Sequence, residues 1–124
     1  MILGCPHYSI EQLAKVAELL RGKRVHEEVT LRILTAPAIR YTARRMGIAD
    51  VIEKAGGKIF AGYTGGEVLA GCWSWVPHHG VTVATDSAKC ALFNFMGLYD
   101  RRNDVCFGTM EKCINAAITK KWSV

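Results

Sequence analysis

Val81-Thr82-Val83-Ala84-Thr85-Asp86-Ser87-Ala88-Lys89 reads as a strand that runs directly into a helix start. The first four residues are small or β-branched and suit a buried strand. Thr85, Asp86 and Ser87 can each cap a helix, and an apolar pattern with helical spacing follows at once. A helix start of this kind gathers unpaired backbone N–H groups and the positive end of the helix dipole, and Lys89 adds a full charge one turn in. A carboxylate or phosphate fits there. A simpler reading accounts for the same spacing: Thr85 or Asp86 only caps the helix, and Lys89 is solvated.

The same alternation extends to both sides. Met1-Ile2-Leu3 is a first strand and Gly4-Cys5-Pro6-His7 a turn. Ser9 and Gln12 then make an S-x-x-Q capping box, with Tyr8 and Leu13 as the hydrophobic staple. The helix so defined starts at Ile10, carries Ile10, Leu13, Ala14, Ala17 and Leu20 on one face, and stops at Gly22. Val29 to Leu34 is a second strand. Pro37, suited to a first helical position, opens a helix through Ile39, Ala43 and Met46; Ile48 to Ala55 gives another, ended by Gly56-Gly57. Lys58-Ile59-Phe60-Ala61 is a third strand. From Gly62 to Gly80 glycines and Pro77 predict an irregular crossover, with room for one strand or helical turn around Val68. Beyond the opening stretch, a helix through Cys90, Leu92, Phe93 and Met96 ends near Gly97, and Arg101-Arg102-Asn103 forms a loop. Val105-Cys106-Phe107 is the last strand. Thr109 caps a final helix that buries Met110, Cys113, Ile114, Ala117 and Ile118.

Strands alternating with helices over short loops predict an α/β domain with a mostly parallel sheet of about four to five strands and right-handed crossovers. Ligands of such sheets bind outside the carboxyl ends of the strands. The loops there would bring Cys5, His7, Thr35, Tyr63, Thr64, Asp86, Ser87 and Lys89 to one cleft. A length of 124 residues, half of them hydrophobic, predicts one domain over residues 1–124. Sixteen Lys and Arg against 11 acids give a net charge of +5, but the basic residues are dispersed, with Arg44-Arg45, Arg101-Arg102 and Lys120-Lys121 only as pairs. A nucleic-acid partner is not expected, because a phosphate backbone calls for a basic stripe. Five cysteines, an odd number without C-x-x-C spacing, and no signal-peptide pattern predict a reducing cytoplasm. No apolar run is long enough to span a bilayer, so no membrane role is expected.

Three ordered motifs resemble one family. They are Gly4-Cys5-Pro6-His7-Tyr8-Ser9 before a Glu- and Leu-rich helix, Val83-Ala84-Thr85-Asp86-Ser87-Ala88-Lys89, and Phe107-Gly108-Thr109-Met110-Glu111-Lys112-Cys113 with the closing Ala116-Ala117-Ile118-Thr119. Together they look like the C-terminal part of the aconitase X catalytic large subunit, whose longer N-terminal region has no counterpart among these residues. The resemblance implies a three-layer, aconitase-like α/β fold and ancestry among iron–sulfur hydro-lyases that dehydrate small hydroxy acids such as hydroxyproline or phosphomevalonate. It also implies a small swivelling subunit or domain that closes the site. By the same resemblance Cys5 corresponds to a cluster-ligating cysteine, since iron takes thiolates. The chain departs from the family elsewhere. Gly62-Tyr63-Thr64 stands where the family has Asp-Thr-Cys, Thr35-Ala36-Pro37 where it has Thr-Ser-Arg, and Asp86 where it has Asn. The first removes a ligand, the second a hydroxyl and an anion-gripping arginine, and the third places a negative charge beside any anionic substrate.

These departures lead to the expectation of a stand-alone domain without hydro-lyase activity of its own and with no cofactor in isolation. A small anionic metabolite would be held by Ser87, Lys89, Asp86, His7 and Thr35. The alternative is one piece of a split hydro-lyase, in which the aconitase X small subunit or the remainder of the large subunit completes an iron–sulfur cluster with Cys5 as metal ligand. A zinc site drawing on Cys5, His7, Cys72, His78 and His79 has the right donor types but no ligand spacing. Cys90, Cys106 and Cys113 fall on apolar faces and read as inert thiols. Trp73 and Trp75 would share one face of an extended segment, as core or as the interface of a homo-oligomer.

Overall fold

In a computed structural model, which describes residues 1–62, 82–91 and 104–123, the chain forms strands β1 (Ile2–Tyr8), β2 (Leu31–Thr35), β3 (Gly57–Ala61), β4 (Thr82–Thr85) and β5 (Asp104–Phe107). Helices α1 (Ile10–Leu20), α2 (Pro37–Arg45), α3 (Ile48–Lys54) and α4 (Met110–Thr119) connect or follow them. The five strands make one sheet in the order β3-β2-β1-β4-β5, and every neighbouring pair is parallel. The expected α/β class with a parallel sheet is the observed one. Tyr63, Thr64, Val68, Cys72, Trp73, Trp75, His78 and His79 lie outside the described residues, as do the helix expected through Leu92, Phe93 and Met96 and the loop at Arg101-Arg102-Asn103.

Period-two alternation sends the strand side chains to two different apolar layers. Leu3, Leu31, Ile33 and Ile59 join Leu13, Val16 and Ala17 of α1, Ala43 of α2, Ile52 of α3, and Cys113, Ile114 and Ala117 of α4 in one core. Ile2, Leu34 and Val83 point the other way and meet Cys5 and Cys90. Cys90 belongs to a helical turn at residues 88–91 that packs on this second face, as apolar parallel strands require.

Local signals explain the element starts. Ser9 accepts from the Gln12 N–H at 3.2 Å, and the Gln12 side chain accepts from the Ser9 N–H at 2.9 Å, which closes the capping box. Tyr8 and Leu13 are both buried in the same core, as the staple requires. Pro37 opens α2, and Thr109 accepts from the Lys112 N–H at 3.3 Å at the start of α4. On α1 the buried stripe is Leu13, Val16, Ala17 and Leu20, while Ala14 is exposed. The larger Val16 fits the i, i+3, i+4, i+7 spacing and takes the inward position. Met46, expected on a buried face, is 62% exposed past the end of α2.

The expected turn at Gly4 to His7 is a bulge inside a longer strand. Leu3 pairs with Ile33 and Tyr8 with Thr35, so the stretch between them on β1 has more residues than its counterpart on β2. Gly4 makes this approach possible, with φ +93° and space for a Cβ only 2.4 Å from the Leu34 carbonyl oxygen. Among the described residues no helix is long and apolar enough to cross a membrane.

Candidate functional site

The chain winds outward from β1 through β2 to β3 and then returns to β4 on the other flank of β1. The winding direction therefore reverses between β1 and β4. In an open parallel sheet the crevice outside the carboxyl ends at this reversal is where ligands bind. The bulged end of β1 and the Thr85-Asp86-Ser87 corner stand on its two sides.

Asp86 ties the two sides together. Its Oδ1 accepts from the Gly4 N–H at 3.4 Å, and its Oδ2 accepts from the Tyr8 hydroxyl. Thr35 extends the link to β2, because its Oγ1 donates to the Tyr8 carbonyl at 2.7 Å. Burial, followed by the hydrogen bond to Asp86 and that carboxylate's charge, holds the Tyr8 phenol far above its ordinary titration range. Tyr8 is therefore a fixed donor. Cys113 of α4, fully buried, is pushed up to about 12 by burial and by the Asp86 charge.

On the β4 side, the Ser87 N–H donates to Thr85 Oγ1 at 3.1 Å, and the Cys90 N–H donates to Ser87 Oγ at 3.1 Å. The Ala91 N–H continues the turn by donating to the Ser87 carbonyl at 2.9 Å. Ser87 is thus the cap, rather than Thr85 or Asp86, whose side chains brace the corner and the bulge. Lys89 is exposed two residues beyond and pairs with no carboxylate among the described residues.

A family model described as the aconitase X third domain matches residues 1–119. The chain belongs to the aconitase X family. It is 30% identical over 120 residues to the cis-3-hydroxy-L-proline dehydratase of Hypocrea jecorina, covering 93% of this chain and 18% of that protein. It is 32% identical over 117 residues to the phosphomevalonate dehydratase large subunit of Methanocaldococcus jannaschii, covering 90% of this chain and 25% of that protein. The crystal structure of Thermococcus kodakaraensis aconitase X in its holo-form superposes with a TM-score of 0.68 at 30% identity, over 94% of this chain and 28% of that one. The chain therefore spans between 18% and 25% of the length of these two curated relatives.

Set against the aconitase X resemblance, the expected site residues divide. Asp86, Ser87 and Lys89 sit together at the β4 corner, and His7 is exposed on the β1 bulge across from them. Thr35 is fully buried behind the bulge, with its hydroxyl committed to the Tyr8 carbonyl. Pro37, where the family has arginine, occupies the first turn of α2. Cys5 is buried in the apolar layer with Ile2, Leu34, Val83 and Cys90. Among the described residues no three His, Cys, Asp or Glu side chains converge on a point that could hold a metal. An iron–sulfur cluster takes several thiolates, so these residues alone do not fit one.

Tyr8 and Gly4 are the parts of the site that sequence reading missed. Tyr8 reads as a staple residue, which it also is, and its hydroxyl partner lies 78 residues away. Only the strand order brings them together.

Proposed function

We propose that this chain is an aconitase X-type domain that binds a small anionic metabolite at the β1/β4 crevice and does not dehydrate it unaided. The observation that carries the reading is the engagement of Asp86. Both carboxylate oxygens accept hydrogen bonds from β1, which turns the acid towards the bulge and leaves the helix start after Ser87 and the Lys89 ammonium to meet a ligand. His7 flanks the opening, and Thr35 supports it from behind through Tyr8. In this reading Cys5, packed with Cys90 in the apolar layer, holds no cofactor in isolation, and the setting is a reducing cytoplasm.

The relatives' names supply the ligands to try. In titrations of the isotopically labelled chain with phosphomevalonate and with cis-3-hydroxy-L-proline, amide signals of Ser87 to Lys89 should shift and saturate. Lys89→Ala should weaken binding by about tenfold or more, the loss of one charge-assisted contact. Saturation with unchanged affinity in the variant, or no shifts at these amides, would remove the anion site.

The naming of one relative as a large subunit favours a second reading. In it the domain is one piece of a hydro-lyase whose cluster comes from the rest of a large subunit and whose closure comes from a small one. Dehydration that appears only on mixing with those chains would support it over the stand-alone reading.

A further inference from the structure

A shallow, open hollow of about 350 Å³ lies between α2 and the end of the edge strand β3. Pro37, Arg40, Tyr41, Arg44 and Ala61 line it. The spacing of α2 produces this arrangement. Arg40 and Arg44 are four residues apart and share one side of the helix, and Pro37 stands one turn before Arg40. Ala43 is the one residue of α2 that is fully buried and Ile39 packs half-buried against the same core, while Tyr41, Thr42, Arg44 and Arg45 are exposed.

The lining is chemically divided. Pro37 and Ala61 bring apolar groups, while Arg40, Arg44 and Tyr41 bring apolar stems and a ring together with two guanidinium groups and a phenol. Tyr41 is 64% exposed, an unusual position for a ring of that size, and it is held in place. Arg45 lies over it with its guanidinium carbon 5.9 Å from the ring centre. Arg44 is steadied by Glu53 at 3.3 Å, a bond that uses one of its five N–H donors. Arg40 has no acidic partner among the described residues, and α2 carries three arginines and no acid. Uncompensated positive charge beside apolar groups suits a ligand that is anionic at one end and apolar at the other.

We propose that this hollow is a second binding site, for a small organic anion, a phosphate ester or carboxylate with a short apolar body. The guanidinium groups of Arg40 and Arg44 take the anion, and the body lies on Pro37, Ala61 and the Tyr41 ring. It is independent of Lys89, so either site can fail without the other.

Phenyl phosphate is a suitable probe, titrated into the isotopically labelled chain with inorganic phosphate and phenol as controls. Amides of Arg40, Tyr41, Arg44 and Ala61 should shift and saturate, and phenyl phosphate should bind at least about tenfold more tightly than either control, because each control keeps only half of the recognition. Arg40→Ala and, separately, Arg44→Gln should each weaken it by about tenfold. Both substitutions suit an exposed helix, and the spectrum itself reports whether the fold is kept. Lys89→Ala should leave the affinity at this hollow unchanged. The proposal is overturned if shifts appear only at Ser87 to Lys89 or nowhere. Equal binding of inorganic phosphate, or arginine variants that bind as the parent does, would overturn it as well.

Discussion

The Tyr8 phenol is 3% exposed and donates to a carboxylate on the neighbouring strand, so its loss leaves Asp86 with the long Gly4 contact alone. Tyr8→Phe should cost about 1–2 kcal/mol, the range for a partly buried hydrogen bond to a charged group, because water can partly replace the donor at half-buried Asp86. Urea unfolding measures it, and a variant as stable as the parent would show that the tie contributes nothing. Cys113 makes a pH prediction. Its folded value is raised from 9.0 to about 12, so the stability it provides is complete below pH 9.0 and is lost as pH climbs towards 12. Tyr8, raised above its ordinary 10.0, adds loss of the same sign at still higher pH. The urea midpoint should therefore fall from about pH 9 upward, and Cys113→Ala should flatten that fall; an equally steep decline in the variant would assign it elsewhere. At this scale the sequence shows which residues are polar or small enough to work at a corner. It does not show which are already committed: the Thr35 hydroxyl donates to the Tyr8 carbonyl, and Ser87 rather than Asp86 caps the turn.

Elements with local causes were readable from the chain alone. The Ser9/Gln12 box, Pro37 at the start of α2 and Thr109 at the start of α4 each act within three or four residues, and each stands where its motif places it. The β1 bulge has a non-local cause and reads as a turn, because Gly4 is required by the approach of β2 rather than by its own neighbours. Gly4→Ala tests this at the scale of the element. The new methyl would meet the Leu34 oxygen at 2.4 Å from a backbone with φ +93°, so both the left-handed conformation and the strand contact oppose it. A loss of about 3 kcal/mol or more is expected, seen as a thermal midpoint lowered by roughly ten degrees or as failure to fold. Alanine tolerated at near-parental stability would mean that β1 and β2 do not meet this way.

For the molecule as a whole, alternating strands and helices were enough to give an α/β class, and three motifs in order were enough to suggest the family. The strand order was not in the pattern, since nothing in β4 says that it returns to the far flank of β1. That return creates the crevice, joins Asp86 to Tyr8 across 78 residues and leaves Cys5 in an apolar layer with Cys90. The same return underlies the central claim, that the fold keeps the binding end of an aconitase X domain without holding a cluster by itself. The most direct test is the iron and acid-labile sulfide content of the chain purified without oxygen and offered both ions. The account predicts a colourless protein with far less than one iron per chain. Stoichiometric iron and sulfide with a visible absorption band would contradict it, and would mean that Cys5 has found its fellow ligands within this chain.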